Sequence, residues 1–196
     1  MENNLFKQEF YLQKTEIVAK KLLGKLFQIN HNGKIISAEI TETEAYLPQD
    51  DPACHAAIKK TNRNAPMFEL GGILYVYFIY GNYYCANVVT EAEGLGAAVL
   101  IRSAKPVDGI EFMMQNRNKT ESKDLLTGPG KFAQAFGLNK SYNYKKLDSK
   151  EIRICEFKDY SDSEIITTTR IGINKASDLP LRFYVKNCEF ISKKAK

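Results

Sequence analysis

Two turn motifs constrain this sequence more than any other feature, because each stands between two runs of strand-forming residues. Asn32-Gly33 is a pair that type I′ hairpin turns favour, and strand-forming residues flank it at positions 25–31 and 34–43. Gly81-Asn82 joins two further apolar runs, residues 73–80 and 83–89, in the same manner. Strands that are joined by tight turns pair antiparallel. The sequence therefore predicts an antiparallel sheet as its framework.

Helices and further strands are predicted around these hairpins. The helices cover residues 12–23, 107–116 and 131–136, and the strands cover residues 97–103, 151–157, 165–173 and 181–185. Residues 45–66 are predicted to form a loop. Helices mixed with an antiparallel sheet indicate an α+β fold. Because the 196 residues contain no repeat and no Gly-, Ser- or Pro-rich linker, we expect a single domain over residues 1–196, with residues 186–196 as a frayed basic tail.

Composition excludes several classes of protein. Hydrophobic residues make up 44% and charged residues 26%, which is ordinary for a globular protein and excludes wholesale disorder and a coiled coil. We expect a cytoplasmic protein with no membrane contact, because no run approaches the roughly 18 apolar residues of a membrane span and the first residues lack a signal-peptide layout. No cofactor is predicted. A metal site in particular is not expected, because no C-x-x-C, H-x-x-x-H or H-E-x-x-H pattern can be built from Cys54, Cys85, Cys155, Cys188, His31 and His55.

An apolar strand face that leads into carboxylates is the first candidate for chemistry. Read with a period of two, one face of residues 36–46 carries Ile36, Ala38, Ile40, Glu42, Glu44 and Tyr46. One interpretation is that the strand ends near Ile40 and that both glutamates are solvated. The other is that a carboxylate lies at the mouth of a pocket, where partial desolvation would raise its pKa and suit it to general-base catalysis.

An aromatic cluster is the second candidate. Six of the ten residues from 75 to 84 are Tyr or Phe. Aromatic residues favour strands, so a sheet core explains most of them. Tyr80, however, directly precedes the Gly81-Asn82 turn and should project at the tip of the hairpin. A large ring in that place is suited to wedge between base pairs of DNA.

The net charge of +5, from 28 basic and 23 acidic residues, permits binding to a polyanion without demanding it. Residues 35–56 carry five acids and no Lys or Arg, and then Lys59, Lys60 and Arg63 follow. A protein that binds nucleic acid would place such residues around the aromatic hairpin, in contact with phosphates. Ordinary solvated surface is the alternative for each single residue. Lys131, after Gly128-Pro129-Gly130, could bind phosphate or could simply mark the start of a helix.

Six motifs occur in one order along most of the chain. They are T-E-T-E-A-Y at residues 41–46, R-N-A-P-M-F at 63–68, L-Y-V-Y-F-I-Y-G-N-Y-Y-C-A-N at 74–87, V-L-I-R at 99–102, T-G-P-G-K at 127–131 and P-L-R-F-Y-V at 180–185. Together they resemble the alkyladenine DNA glycosylase family, also called the 3-methyladenine DNA glycosylases. The resemblance extends from about residue 10 to residue 185, and it is far more specific than any one short motif.

The resemblance implies a monofunctional base-excision enzyme that acts as a monomer on duplex DNA containing alkylated or deaminated purines. It also implies a curved antiparallel sheet with surrounding helices and a protruding β-hairpin. By position, Glu44 matches the catalytic glutamate that activates water, and Tyr80 matches the tyrosine inserted into the minor groove. The residues that match the base pocket are Tyr46, His55, Tyr77, Asn87 and Arg102, and the candidates for DNA-backbone contacts are Arg63, Lys131 and Arg182.

The sequence departs from the family pattern near the hairpin and before it. Asn82 stands where the family more often has an apolar residue, Pro66 where a smaller or β-branched residue is usual, and Glu69-Leu70-Gly71-Gly72 where a Pro-Pro-Gly turn is common. None of these departures affects the proposed catalytic group. Two alternatives to a glycosylase stay open: a non-catalytic protein that binds damaged bases or nucleic acid, and a hydrolase of small molecules.

Overall fold

The computed structural model describes residues 5–79, 81 and 83–195, and within them an antiparallel sheet of eight strands curls around the core. The strands are β1 (Leu26–His31), β2 (Lys34–Tyr46), β3 (Leu74–Ile79), β4 (Tyr83–Val89), β5 (Ala98–Asp108), β6 (Ile152–Cys155), β7 (Ile165–Thr168) and β8 (Arg182–Val185). Their order in the sheet is β3-β4-β5-β2-β1-β6, with β8 also paired to β2 and β7 paired to β8.

Four α-helices and three short 3₁₀ segments surround the sheet in this part of the chain. The helices are α1 (Gln8–Tyr11), α2 (Thr15–Lys21), α3 (Ile110–Arg117) and α4 (Pro129–Ala135), and the 3₁₀ segments are Ala65–Phe68, Lys140–Tyr142 and Asp162–Glu164. The predicted α+β class with a single domain and a curved antiparallel sheet is thus confirmed. None of the helices in the described residues is long and apolar enough to span a membrane.

The turn chemistry of the first hairpin is as predicted. His31 pairs with Lys34, and Asn32 and Gly33 between them have φ angles of 52° and 83°. Two positive φ angles define a type I′ turn, which Asn-Gly adopts readily. In the second hairpin Ile79 pairs with Tyr83. The two residues at its tip that the sequence singled out, Tyr80 and Asn82, lie outside the described residues.

Strand β2 changes the phase of its side-chain alternation near Thr41. Its pairing with β5 is irregular there, since Ile40 pairs with Ala104 but Glu42 pairs with Ser103 and Thr43 with Ile101. An extra residue in a strand shifts every later side chain to the other face. Ile40 before the irregularity and Ala45 after it therefore belong to the same main hydrophobic cluster. Glu42, Glu44 and Tyr46 lie on the opposite face, not on the face of Ile40 as an uninterrupted period of two predicts.

Strand β5 also extends further than predicted. It continues through Pro106 to Asp108, and helix α3 begins only at Ile110, after Gly109. Pro106 is tolerated because it lies at a second irregularity in the pairing with β2, opposite Ala38. The proline was therefore misleading as a sign of a strand end, and the helix starts three residues later than predicted.

The C-terminal segment, residues 186–195, differs from the expected frayed tail. Its Ile191 side chain is only 8% exposed. The Ser192 amide donates a hydrogen bond to Glu42, and the Ala195 amide donates one to the hydroxyl of Tyr184. Arg182 donates to the carbonyl oxygen of Lys193. Buried polar side chains on β2 and β8 therefore hold residues 186–195 in place, although the basic composition of this segment suggested that it would be frayed.

Candidate active site

A cavity of about 310 Å³ opens between the β3–β4 hairpin, the end of β2 and the loop 169–173. This volume lies at the lower end of the range for ligand pockets, about 300–1,000 Å³. Strand register explains how distant residues meet here, since Glu44 pairs with Leu100, Leu100 with Asn87 and Asn87 with Tyr75. The five predicted pocket residues all line this one cavity: Tyr46, His55, Tyr77, Asn87 and Arg102.

The Glu44 carboxylate is fully buried just behind the cavity wall. Its Oε1 accepts a hydrogen bond from the Ile171 amide at 2.8 Å, and its Oε2 accepts one from the Tyr46 hydroxyl at 3.0 Å. Arg102 Nη1 lies 3.1 Å from the same Oε2. Burial raises the pKa of Glu44, and the three donors counter that effect because each stabilises the ionised form. All three donor residues also line the cavity.

Arg102 lies between two carboxylates on β2. Its Nε is 3.2 Å from Glu42 Oε1, while Nη1 contacts Glu44. Glu42 in turn accepts hydrogen bonds from Arg182, Ser103 and Ser192. Glu42 therefore holds Arg102 on the side away from the cavity, and Glu42 itself does not line the cavity.

Aromatic side chains form one wall. The rings of His55 and Tyr77 lie 4.5 Å apart and nearly perpendicular, and Tyr75 stacks against Tyr77 at 5.4 Å. His55 Nδ1 is 3.3 Å from the Tyr75 hydroxyl. Burial and the nearby Arg63 lower the pKa of His55, so its imidazole is neutral at physiological pH. The wall therefore offers flat, uncharged surfaces.

Asn87 supplies a polar group in the same cavity. Its Nδ2 donates to the Tyr75 carbonyl oxygen at 3.1 Å, which fixes the orientation of the carboxamide on the sheet. Cys85 lies nearby, and burial raises the pKa of its thiol to about 11, so the thiol stays protonated. All four cysteines of the chain are free thiols.

The three residues predicted to contact DNA backbone have different surroundings. Arg63 is exposed, donates to the Phe78 carbonyl oxygen at 2.9 Å and lies over the Tyr77 ring. Lys131 is partly exposed and bonds Asp124 and Thr127. Arg182 lies in the interior, with Nε and Nη1 bonded to Thr169 and Glu42. This position does not support the prediction that Arg182 contacts the DNA backbone, because its side chain is buried and bonds other residues of the protein.

Three functional candidates were missed from the sequence. Arg170 and Asp51 form a fully buried ion pair next to Tyr46, and Ile171 supplies the amide that bonds Glu44. Their partners are more than a hundred residues away in the chain. No periodicity or short motif relates such positions, so only a comparison with related sequences could have indicated them.

The geometry defines what this cavity can do chemically. Flat aromatic walls suit a planar ring, and a buried carboxylate beside an arginine can accept a proton from a water molecule that enters the cavity. Among the described residues, no group of three or more His, Cys, Asp or Glu side chains is arranged to hold a metal ion.

Comparison with known proteins gives one consistent result. The family model for methylpurine-DNA glycosylase matches residues 9–189. A Francisella tularensis protein is 46% identical over 184 residues, which is 92% of this chain and 95% of that protein. A Carboxydothermus hydrogenoformans protein is 44% identical over 191 residues, or 97% of this chain and 100% of that protein. Both relatives carry the name 3-methyladenine DNA glycosylase as a provisional assignment.

Proposed function

The chain belongs to the methylpurine-DNA glycosylase family, and we propose that it excises alkylated purines, 3-methyladenine among them, from duplex DNA by hydrolysing the N-glycosidic bond. The observation that carries this proposal is the Glu44 carboxylate, buried at the wall of an aromatic cavity and bonded by Tyr46, Arg102 and Ile171. A protein that only bound DNA would have no need of a desolvated carboxylate close to an anionic backbone.

Base recognition comes first in the proposed mechanism. A base in a duplex is shielded by its neighbours, so the enzyme must extrude it at a cost of a few kcal/mol. Tyr80 would enter the gap in the minor groove, and Tyr46 and Tyr77 would stack on the extruded base, which is worth about 1–3 kcal/mol per stacked base. An alkylated purine carries positive charge, and electron-rich rings attract such a cation. The carboxamide of Asn87 would disfavour the exocyclic amine of guanine.

Hydrolysis follows at the sugar. Glu44 in its ionised form would take a proton from water as the water attacks C1′, and its negative charge would stabilise the positive charge that develops on the sugar. General-base catalysis of this kind typically contributes about 10²–10⁴-fold. The alkylated purine is already a good leaving group, so a general acid is less important. No lysine is among the described residues that line the cavity, which favours water over an amine as the nucleophile and hence a monofunctional enzyme.

Backbone contacts would come from the basic residues around the cavity mouth, of which Arg63 and Lys131 are the candidates. Each phosphate contact should steepen the fall of log affinity with log salt by about 0.9. A hydrolase of small molecules would show a flat salt profile.

An excision assay tests the proposal. Duplexes with a single 3-methyladenine, 7-methylguanine, hypoxanthine or ethenoadenine are incubated with the protein, and free base and abasic strand are measured. We expect free base and an intact abasic strand that breaks only after alkali. Binding to lesions without base release would leave a non-catalytic binding protein as the function, and strand cleavage without alkali would contradict the monofunctional mechanism.

A further inference from the structure

We propose that the buried pair Arg170–Asp51 is a positioning pair for the reaction, holding the Ile171 amide and the Tyr46 ring in place around Glu44. The catalytic part of this inference rests on the proposed glycosylase function. Neither residue lines the cavity, so any role in the reaction must act through the groups that they hold.

The pair joins two loops that have no regular secondary structure where they meet. Arg170 Nη1 and Nη2 donate to Asp51 Oδ2 and Oδ1 at 2.6 and 2.7 Å, and both side chains are inaccessible to solvent. Asp51 also accepts hydrogen bonds from the amides of Leu47 and Ala53, which shape the loop after β2. A two-pronged pair of this kind fixes orientation as well as distance. The loop 169–173 is therefore held against the loop that carries His55.

Both loops place groups in the site. Ile171, directly after Arg170, donates its amide to Glu44 at 2.8 Å, and the residues 171–173 line the cavity. Arg170 Nη1 also donates to the Ala45 carbonyl oxygen at 3.0 Å, on the strand that carries Glu44. The guanidinium lies 4.7 Å from the centre of the Tyr46 ring, whose hydroxyl bonds Glu44. One side chain thus contacts the elements that supply two of the three donors to the catalytic carboxylate.

One detail separates this pair from an ordinary buried ion pair. Arg170 Nε is buried and has no hydrogen-bond partner among the described residues. Buried polar groups are nearly always paired, and an exception calls for an explanation. The other two nitrogens of the guanidinium make all its hydrogen bonds: Nη1 donates to Asp51 and Ala45, and Nη2 donates to Asp51 and lies 3.5 Å from the Ala176 carbonyl oxygen.

The sign of the electrostatic effect follows from the charges around Glu44. Loss of the Arg170 cation and displacement of the Ile171 amide both remove stabilisation of the ionised carboxylate, so both raise the pKa of Glu44. The charged and titratable groups that surround Glu44 from β2, β4, β5, β8 and the loop are Glu42, Tyr46, Cys85, Arg102, Arg182 and Arg170.

Two variants test the inference. Arg170→Gln removes the cation and the two-pronged contact, and the double variant Asp51→Asn with Arg170→Gln also avoids an unpaired buried carboxylate should the single variant fail to fold. Lys25→Met is the matched control, because it breaks a buried lysine's ion pairs to Glu156 and Asp159 away from the cavity. The titration of Glu44 is followed by NMR on carboxyl-labelled protein, and single-turnover excision is measured across pH at saturating enzyme.

In the folded Arg170 variants we expect the Glu44 titration and the acid limb of the excision rate to move upward by about one pH unit. We also expect the maximal rate to fall by about 10²-fold, as misplacement of catalytic groups typically does. The Lys25 variant should melt at a lower temperature with both pH profiles unchanged. An unshifted Glu44 titration in a folded Arg170 variant would overturn the inference. Wild-type protein without excision would instead refute the proposed function, and the NMR titration would still decide the positioning role.

Discussion

Replacing Glu42 with alanine would leave the buried Arg182 without a carboxylate partner, because Glu42 is the acid that contacts its guanidinium at 2.8 Å. Glu42 is inaccessible to solvent, and the Arg182 side chain is only 3% exposed. Arg102 would lose its 3.2 Å contact with Glu42 but would keep Glu44. Three further donors would lose their acceptor: the hydroxyl of Ser103 and the amide and hydroxyl of Ser192. The C-terminal segment would thereby lose its contacts with β2 through Ser192.

The expected effect is large for a single substitution. Breaking a buried pair by removing one partner typically costs about 3–5 kcal/mol, out of a total stability of about 5–15 kcal/mol for a domain. For a domain of 150–250 residues, 1 kcal/mol shifts the melting temperature by about 2–4 °C. Glu42→Ala should therefore lower the melting temperature by about 6–20 °C.

Thermal unfolding followed by circular dichroism measures this shift, with Glu93→Ala as the control. Glu93 is exposed and forms no ion pair among the described residues, so its loss should change the unfolding free energy by no more than about 0.5 kcal/mol. The double variant Glu42→Gln with Arg182→Met should recover part of the lost stability, since it removes both charges. Equal melting temperatures for Glu42→Ala and Glu93→Ala would refute the reasoning that the Glu42 carboxylate stabilises the fold by pairing with the buried charges of Arg102 and Arg182.

Three further predictions concern the site and the packing behind it. Tyr46→Phe removes the hydroxyl that donates to Glu44 and should slow single-turnover excision about tenfold, the effect of losing one hydrogen bond to a charged group; an unchanged rate would contradict that contact. Burial raises the pKa of Glu44, and only the ionised carboxylate can accept a proton. As the pH is lowered, the excision rate of the wild type should therefore begin to fall at a pH above 4.5, the usual pKa of a glutamate. A rate that falls only below pH 4.5 would contradict this prediction. Gly96→Ala would place a Cβ in steric conflict with the Ala56 Cβ, so urea unfolding should show that the free energy of unfolding falls by about 1–3 kcal/mol. A variant as stable as the wild type would contradict this by showing that the loop carrying Ala56 moves aside without cost.

Local chemistry explains what could be predicted of the fold from the sequence. Asn32-Gly33 specifies a turn by its own backbone preferences, so the first hairpin and its register follow from two residues. The cavity-lining set was predicted only through the resemblance to a family. Strand periodicity could indicate that residues such as Tyr75 and Tyr77 share a face, but not that Asn87 and Arg102 would join them.

Tertiary effects explain what could not be predicted. The irregularity near Thr41 reverses the faces of β2, and a period-two pattern carries no sign of where an extra residue interrupts pairing with another strand. Arg182 looked like a surface cation because its partners, Glu42 and the C-terminal segment, are distant in sequence. Arg170 and Asp51 are 119 residues apart and meet only in the folded protein.

Single-turnover excision by Glu44→Gln on a duplex containing one lesion, measured beside its binding affinity for the same duplex, tests the central claim most directly. Glutamine keeps the shape of the side chain and an oxygen that can accept a hydrogen bond from the Ile171 amide, but it cannot take a proton from water. We predict an affinity close to that of the wild type and a rate at least about 10²-fold lower. Excision at the wild-type rate by the folded variant would contradict the assignment of Glu44 as the general base.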